Sequence, residues 1–209
     1  VIINNQKSET SKLSIFGDNA GSKSTGEWRT GLRFAQDNMI GINDQLNLSF
    51  THSPSNSYDL RHANAFTMGF SVPYGYWTFS NNFSYSDYRT SFMMPISGNP
   101  FYSYGNSMNN SISIERMMWR GQKHKIALSG GLTYKNANNY MKVYDLVARN
   151  SVSSRALSVV NFDLPMTFYI GRGTLYIKPS FVAGLDILGA FDDDAHPGYS
   201  QKAQYTAYK

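Results

Sequence analysis

The sequence contains no cysteine among its 209 residues. Disulfides, thiolate metal sites and cysteine nucleophiles are therefore excluded, and such an absence is common in proteins exported through the periplasm. Charged residues are also scarce, at 16% against roughly 25% in a typical soluble domain. Long apolar runs are missing as well. The longest candidate, 181–190, is interrupted by Asp186 and falls short of the roughly 20 residues that a membrane helix needs.

Basic residues give a net charge of +5, but they are scattered along the chain. No Lys/Arg-rich run is present, so we expect no nucleic-acid partner. Aromatic residues are abundant, at 15%, yet the mean hydropathy of −0.40 lies on the polar side because Ser, Asn, Thr and Gly are frequent. This mixture is typical of a wall with one lipid-facing and one watery side.

Apolar and polar residues alternate with a period of two along almost the whole chain. Phe66, Met68 and Phe70, for example, alternate with Thr67 and Gly69. Because successive side chains of a strand point to opposite faces, each segment has one apolar and one polar face. The expected strands lie near 11–17, 25–36, 44–53, 62–73, 76–87, 106–119, 122–136, 154–169, 172–187 and 201–209. A soluble β-sandwich or lipocalin-like barrel also alternates, but it seldom places Ser, Asn and Lys at so many inward positions.

Short and long connections alternate between these strands. The short ones are 37–44, 73–76, 120–123 and 171–173, and the long ones are 18–24, 54–61, 88–105, 137–153 and 188–200. In an up-and-down barrel, all short turns lie at one rim and all long loops at the other, as in outer-membrane barrels. We expect an aromatic girdle at the short-turn rim, formed by Tyr74, Tyr76, Trp77, Trp119 and Tyr169.

The pattern predicts an all-β fold, a transmembrane antiparallel up-and-down β-barrel of which this chain supplies about nine or ten strands. The chain starts at Val1 without an initiator Met, and its last strand pattern is cut at Lys209. An open sheet in lipid leaves backbone N–H and C=O groups unpaired at its edges. We therefore expect a piece of a longer protein.

Two motifs near the start resemble those of the two-partner secretion transporters, the hemolysin secretion/activation family of FhaC/ShlB/HecB type. The first resembles the family's DN-x-G-x-x-x-TG hairpin and comprises Asp18, Asn19, Gly21, Thr25 and Gly26. The second resembles its DNP-x-G-x-ND turn, with Met39 in place of Pro, and comprises Asp37, Asn38, Gly41, Asn43 and Asp44. Weaker matches follow at 46–53 and 140–157, and 1–5 resembles the last strand of the domain before the barrel.

The resemblance implies a barrel of about 16 strands, preceded by two periplasmic POTRA domains, and a pore loop with a VRG[F/Y] motif. Residues 1–10 would end the POTRA domain or its linker, and 11–209 would form the first part of the barrel. It implies a translocator in the bacterial outer membrane. Its partners would be a secreted exoprotein cargo, of hemolysin, adhesin or contact-dependent toxin type, and outer-membrane lipid, with no nucleotide. Short turns would lie in the periplasm.

Catalytic and metal-binding patterns are not found in the sequence, so we expect no enzyme, no cofactor and no metal. The four histidines lie in separate segments without ligand spacing: His52, His62, His124 and His196. Asp192–Asp194 resembles a cation cluster but lacks the Gly and distal Glu of a calcium loop.

Seven charged residues share the parity of the small polar residues: Arg29, Arg33, Glu115, Lys125, Lys135, Lys178 and Asp186. A charge facing lipid near mid-bilayer costs about 2–4 kcal/mol, so we place these residues in the lumen. They either line the conduit and contact a plug or substrate, or only hydrate the lumen. Arg116 has the lipid-facing parity and is expected to snorkel at the periplasmic turn.

Two other functions fit the same strand pattern. The first is a general porin or substrate-specific diffusion channel, which needs no periplasmic domain and no partner. The second is a barrel whose outer loops, 88–105 and 137–153, serve mainly in adhesion. The cargo, the organism and the oligomeric state do not follow from the sequence.

Overall fold

The computed structural model describes residues 10–54, 61–93, 100–143, 150–190 and 203–208. These residues form one antiparallel sheet of 12 strands. No helix among them is long and apolar enough to cross a membrane. The strands are β1 (Ser11–Asp18), β2 (Arg29–Asp37), β3 (Gln45–Ser53), β4 (His62–Tyr74), β5 (Trp77–Met93), β6 (Pro100–Arg120), β7 (His124–Val143), β8 (Asn150–Asp163), β9 (Met166–Ile170), β10 (Gly173–Ile177), β11 (Ser180–Leu185) and β12 (Thr206–Tyr208).

Strands that follow one another in the sequence lie next to one another in the sheet. The order runs from β1 to β8 without a crossover and continues with β11 and β12, while the β9–β10 hairpin pairs with the start of β7. Every pairing is antiparallel, from β1 with β2 to β11 with β12. The predicted all-β up-and-down arrangement is therefore confirmed.

Two expected strands, 154–169 and 172–187, are each broken into two at a proline. The first is interrupted at Leu164 and Pro165 and the second at Lys178 and Pro179. Proline has no N–H to donate to a strand ladder, so the ladder lapses at both positions. The proline carbonyl oxygens still accept hydrogen bonds. Ala127 N–H donates to Pro165 at 3.0 Å, and Leu164 N–H donates to Pro179 at 3.0 Å.

Two predicted long loops turned out to be largely strand. Residues 88–93 and 100–105 extend β5 and β6, and 137–143 and 150–153 extend β7 and β8. These segments are rich in Ser, Asn and Tyr, a composition typical of loops, but their backbones continue the hydrogen-bonded ladder between the strands. β6 has 21 residues and spans about 70 Å at 3.3 Å per residue. This far exceeds the roughly 30 Å hydrocarbon layer of a bilayer.

The register sorts side chains into two faces. Residues paired across neighbouring strands form rows that lie on one face. One row consists of apolar residues and comprises Phe50, Phe66, Tyr85 and Met108. The adjacent row points the other way and comprises Ser49, Thr67, Ser84 and Asn109. We call these the apolar face and the polar face of the sheet.

The described residues contain almost no hydrophobic core. Their buried apolar side chains are Ala127, Ala190 and Ala203, whereas Ile15 is 78% exposed and Leu13 is 70% exposed. A soluble β-sandwich buries its apolar faces against a second layer about 10 Å away. The described residues form no such layer, so this single sheet contradicts the sandwich alternative. A continuous exposed apolar face marks contact with a membrane or a partner.

Aromatic residues gather at the rim formed by the short turns. Tyr74 pairs with Trp77 on the apolar face, and Trp119 stacks against His124 with ring centroids 5.9 Å apart. Tyr169 was also expected in this girdle, and that placement is wrong. β7 pairs with β9 in the same register as with β8, and Tyr169 has the parity of Asn161 and Asp163, so it lies on the polar face.

Candidate functional site

The polar face carries a central row of small and basic side chains. In order across the sheet the row comprises Ser14, Arg33, Ser49, Thr67, Ser84, Asn109 and Lys135. A trough of about 600 Å³ follows the first part of this row and also contacts Lys12, Asn47 and Asn82. Arg33 and Lys135 are separated by five strand spacings, about 24 Å. The row is therefore a polar strip with Arg33 near one end and Lys135 at the other.

Arg29 and Arg33 lie on the polar face of β2, as the sequence predicted. Arg29 donates two hydrogen bonds to the carboxylate of Asp18, at 2.9 Å from Nε and 3.0 Å from Nη2. The guanidinium of Arg33 lies over the ring of Phe16, 4.4 Å from its centroid. Arg29 is thus paired within the wall, whereas Arg33 keeps its charge at the edge of the trough.

Glu115, Lys125 and Lys135 also lie on the polar face, each on a strand. Glu115 sits between Thr78 and Ser129 in one row of the sheet. The Nζ atom of Lys125 lies 5.6 Å from the centroid of the Tyr169 ring. This contact gives Tyr169 a place on the polar face, where its ring supports a cation.

Lys178 and Asp186 lie outside the strands. Lys178 follows β10 and reaches back to Asp163 on the polar face, with Nζ 3.1 Å from the carboxylate. Asn161 donates to the same carboxylate at 2.7 Å. Asp186 follows β11 and is exposed, so the structure does not bring it together with the other charges.

Further charged residues of the polar face were not among the predicted lumen charges, and they include Lys12, Arg155 and Asp163. Their strand parity was a sufficient signal for all three. Asp163 is the most buried of them, at 6% exposure, and its carboxylate is satisfied by Lys178 and Asn161.

The first hairpin motif is a set of local constraints on the loop between β1 and β2. The Asp18 carboxylate accepts the backbone N–H of Ala20 at 2.9 Å as well as Arg29. A side chain at Gly21 would meet the Gly26 carbonyl oxygen at 2.1 Å, and Gly26 has φ of +134°. Both positions therefore require glycine. Thr25 lies 2.8 Å from the Ser22 hydroxyl.

The second motif, 37–44, closes the short turn between β2 and β3. Asp44 is fully buried, and its carboxylate accepts the backbone N–H groups of Met39 at 3.1 Å and Ile40 at 3.0 Å. Asn38 and Asn43 have positive φ and are linked by an Asn43 N–H to Asn38 Oδ1 bond of 2.9 Å. Met39 donates through a backbone N–H that a proline at this position would lack.

Metal-ligand groups of three or more His, Asp or Glu do not occur among the described residues. His196 and Asp192–Asp194 lie outside those residues. The polar face is thus a surface of hydroxyls, amides and separated charges, suited to contact with a polar chain or with water.

Comparisons with known proteins give one consistent result. The family model for haemolysin secretion/activation proteins ShlB/FhaC/HecB matches residues 1–209. The outer membrane transporter CdiB of Dickeya dadantii (strain 3937) is 32% identical over 193 residues, which cover 91% of this chain and 33% of that protein. The hemolysin transporter protein ShlB of Serratia marcescens is 28% identical, over 90% of this chain and 32% of its own length.

The solved structure of CdiB from Escherichia coli superimposes with a TM-score of 0.84 at 26% identity, covering 98% of this chain and 37% of that one. CdiB from Acinetobacter baumannii, at 21% identity and a TM-score of 0.63, shows the fold alone. The chain spans about a third of the length of the relatives that it matches.

Proposed function

The chain belongs to the haemolysin secretion/activation family of ShlB/FhaC/HecB type, and from this premise we propose that it forms part of an outer-membrane translocator. The complete protein would secrete a partner exoprotein of hemolysin, adhesin or contact-dependent toxin type in two-partner secretion. The observation that carries this proposal is the two-faced single sheet with its polar row. Residues 1–10 would end the preceding periplasmic domain, and 11–209 would form the first part of the barrel.

The two faces fit the two surroundings of a barrel wall. The exposed apolar face, with Ile15 and Phe50, would contact the lipid of the outer membrane. The polar face would line the lumen, where Ser, Thr and Asn side chains exchange hydrogen bonds between water and a passing extended chain. Such a surface binds no sequence tightly, because each contact is replaced by water at little cost.

The charged residues of the polar face have different roles in this proposal. Arg33 and Lys135 would line the conduit near the ends of the polar row, and Glu115 and Lys125 would line it nearer the short turns. Paired groups such as Arg29 and Lys178 would instead stabilise the wall, since their charges are satisfied within it. Asp186 would lie at the outer rim beside the end of β11.

The orientation follows from the turns. We place the four short turns in the periplasm and the extended β5–β6 and β7–β8 hairpins outside, as is usual for such barrels. The proposed transport uses no nucleotide and no catalytic step. Folding of the cargo outside would supply the direction.

The first experiment examines the full-length protein in its own cell. Deleting its gene should remove one large exoprotein from the medium, and restoring the gene should return it. In planar bilayers, the purified protein should be mostly closed with irregular openings. Large steady conductance steps together with an unchanged secretome would contradict translocation and favour the porin alternative.

The second experiment tests the polar row. Arg33→Glu combined with Lys135→Glu should lower secretion at least threefold, because the row then carries acids at both ends. Lys123→Glu, in an exposed short turn, is the matched control and should secrete normally. Folding is checked by the heat-dependent gel mobility of the barrel. Normal secretion by a folded double variant would contradict a lining role for this row.

A further inference from the structure

Beyond the end of its apolar residues, the outward face of β4 to β7 carries a cleft of cations and aromatic rings. The cleft has a volume of about 430 Å³, and its wall includes His62, Arg89, Tyr104, Tyr140 and Lys142. These side chains share the face of Phe66 and Tyr85, so they point outward and not into the trough. We call this site the outer cleft.

The rings of the outer cleft form a stacked platform. Tyr104 and Tyr140 are paired across β6 and β7, with centroids 5.4 Å apart and planes inclined by 22°. The guanidinium of Arg89 lies over the Tyr102 ring, 5.4 Å from its centroid. Tyrosine combines an apolar ring with a polar hydroxyl, and such residues favour surfaces where apolar and wet material meet.

The charge balance of the outer cleft favours an anion. Arg89 and Lys142 carry two positive charges, and Asp87 is the one carboxylate among the described lining residues. Asp87 is already engaged, by Asn64 at 3.0 Å and by His62 at 3.1 Å. The Nε–H of Arg89 is buried and has no hydrogen-bond partner among the described residues. This N–H has no acceptor within the described wall, and the guanidinium as a whole can form charge-assisted hydrogen bonds with an oxyanion.

The height of the outer cleft above the apolar residues distinguishes between two kinds of lipid headgroup that could reach it. Arg89 lies four residues beyond Tyr85, where the apolar run of β5 ends. Lys142 lies eight residues beyond Tyr134, where the apolar run of β7 ends. At 3.3 Å per residue and a tilt of 45°, these positions stand about 9 Å and about 19 Å above the apolar band. Phospholipid headgroups are too short to reach both, because the polar layer on each side of a bilayer is only about 5–8 Å thick.

We propose that the outer cleft binds the phosphorylated saccharide headgroup of a glycolipid in the outer leaflet, of lipopolysaccharide type. Phosphate groups would be held by Arg89 and Lys142, and sugar rings would lie against Tyr104 and Tyr140. This inference rests on the orientation in the proposed function, with the long hairpins outside. It concerns the lipid side of the wall and not the conduit.

The test uses the full-length protein purified in detergent and native mass spectrometry. The probes are rough-type lipopolysaccharide, its dephosphorylated form, phosphatidylglycerol, and a soluble glucosamine phosphate without acyl chains. Wild-type protein should bind the first at least tenfold more tightly than the other three. Arg89→Gln with Lys142→Gln should lose that preference. Arg116→Gln, on the same face but over Trp77 at the other rim, should keep it.

Several outcomes would overturn the assignment. Equal binding of phosphatidylglycerol would show general attraction of anionic lipid, and equal binding of the soluble sugar would show a free sugar phosphate as ligand. An equal loss of the preference for lipopolysaccharide in Arg116→Gln would show that the outer cleft does not cause that preference. If the double variant does not fold, a benzophenone amino acid is placed at Tyr140 or, as a control, at Trp119. The group at Tyr140 should cross-link lipopolysaccharide and the group at Trp119 should not. Cross-linking at both positions or at neither would contradict the site.

Secretion is measured separately in the same strains. A protein that binds lipopolysaccharide at the outer cleft but secretes nothing contradicts only the proposed function. A protein that secretes its partner without any preference for lipopolysaccharide contradicts only the glycolipid site.

Discussion

Two asparagines on the apolar face allow a direct measurement of what a hydrogen bond contributes against lipid. Asn81 lies midway between Trp77 and Tyr85 on β5, where apolar neighbours surround it. Its Nδ2 donates to Asn110 Oδ1 at 2.7 Å and, more weakly, to the Ser111 carbonyl at 3.4 Å. Either single replacement by Leu leaves an amide with no good partner.

The magnitude follows from the desolvation of that amide. A buried polar group without a partner costs about 1–3 kcal/mol. In an unfolded state in aqueous urea the amide is fully hydrated, so most of this cost should appear. We expect a coupling free energy of about 1–2 kcal/mol between Asn81→Leu and Asn110→Leu, and a double variant at least as stable as the wild type. The average of about 0.6 kcal/mol found in a helical membrane protein is smaller because its unfolded chain still finds partners in the membrane.

The assay is urea unfolding of the full-length protein from lipid vesicles, followed by tryptophan fluorescence and analysed as a double-mutant cycle. The control is a hydrogen bond of similar length on the polar face, between the hydroxyls of Ser86 and Ser107 at 2.8 Å. Replacing both by Ala should show coupling near zero, because water takes over the contact. Coupling below about 0.3 kcal/mol for the asparagines, or equal coupling in both cycles, would refute lipid exposure of this face.

Other predictions concern the turn at 37–44 and the close contacts of one glycine. Asp44→Ala should lower the free energy of unfolding by about 1–3 kcal/mol in the same assay, since two backbone N–H groups lose their buried acceptor. Met39→Pro should cost about 0.5–1.5 kcal/mol, since one of those bonds disappears; an unchanged midpoint would argue against the bond. Gly31→Ala should reduce the folded fraction on gels, because its Cβ would lie 2.5 Å from the Phe50 carbonyl oxygen, whereas Gly17→Ala, with 3.8 Å to the nearest atom, should fold normally.

Strand existence, order and facing were largely predictable from the sequence, because a period of two is a local signal and neighbouring strands simply pair in order. Arg33 and Lys135 were placed on the correct face by parity alone. That they share one row was not predictable. A row depends on the register of five consecutive strand pairs, which is fixed by turn geometry and not by alternation.

The errors have two physical causes. Residues 88–105 and 137–153 were read as loops because polar composition on both faces removes the alternation, although the ladder needs no apolar face to continue. Tyr169 lies at the short-turn rim, but its parity is that of Asn161 and Asp163, and parity decides the face on which a side chain lies. The parity of Asp163 also predicts the polar face, whereas its ion pair with Lys178 forms only across the second break and is not predictable from the sequence.

The register of the strands indicates that they cross a layer at an angle. The short turn between β2 and β3 ends at Gln45, which pairs with Ser71 of β4. The next short turn, between β4 and β5, begins three residues further along β4, after Tyr74. The other end of the apolar run shifts in the same direction. It ends at Phe66 on β4 but at Tyr134 on β7, and Tyr134 lies in the row of Asn110, two residues nearer the short turns.

Tilted strands are staggered in any closed barrel, soluble or not. Strands that cross a layer of constant thickness at an angle must move both limits together, since each strand enters and leaves the layer displaced along its neighbour. Between the limits, Trp77 to Tyr85 spans eight residue steps, about 19 Å of height at a tilt of 45°. This is close to the roughly 25 Å apolar band of outer-membrane barrels. The position of the membrane is therefore encoded in where the alternation stops on each strand, and not in the length of the strand.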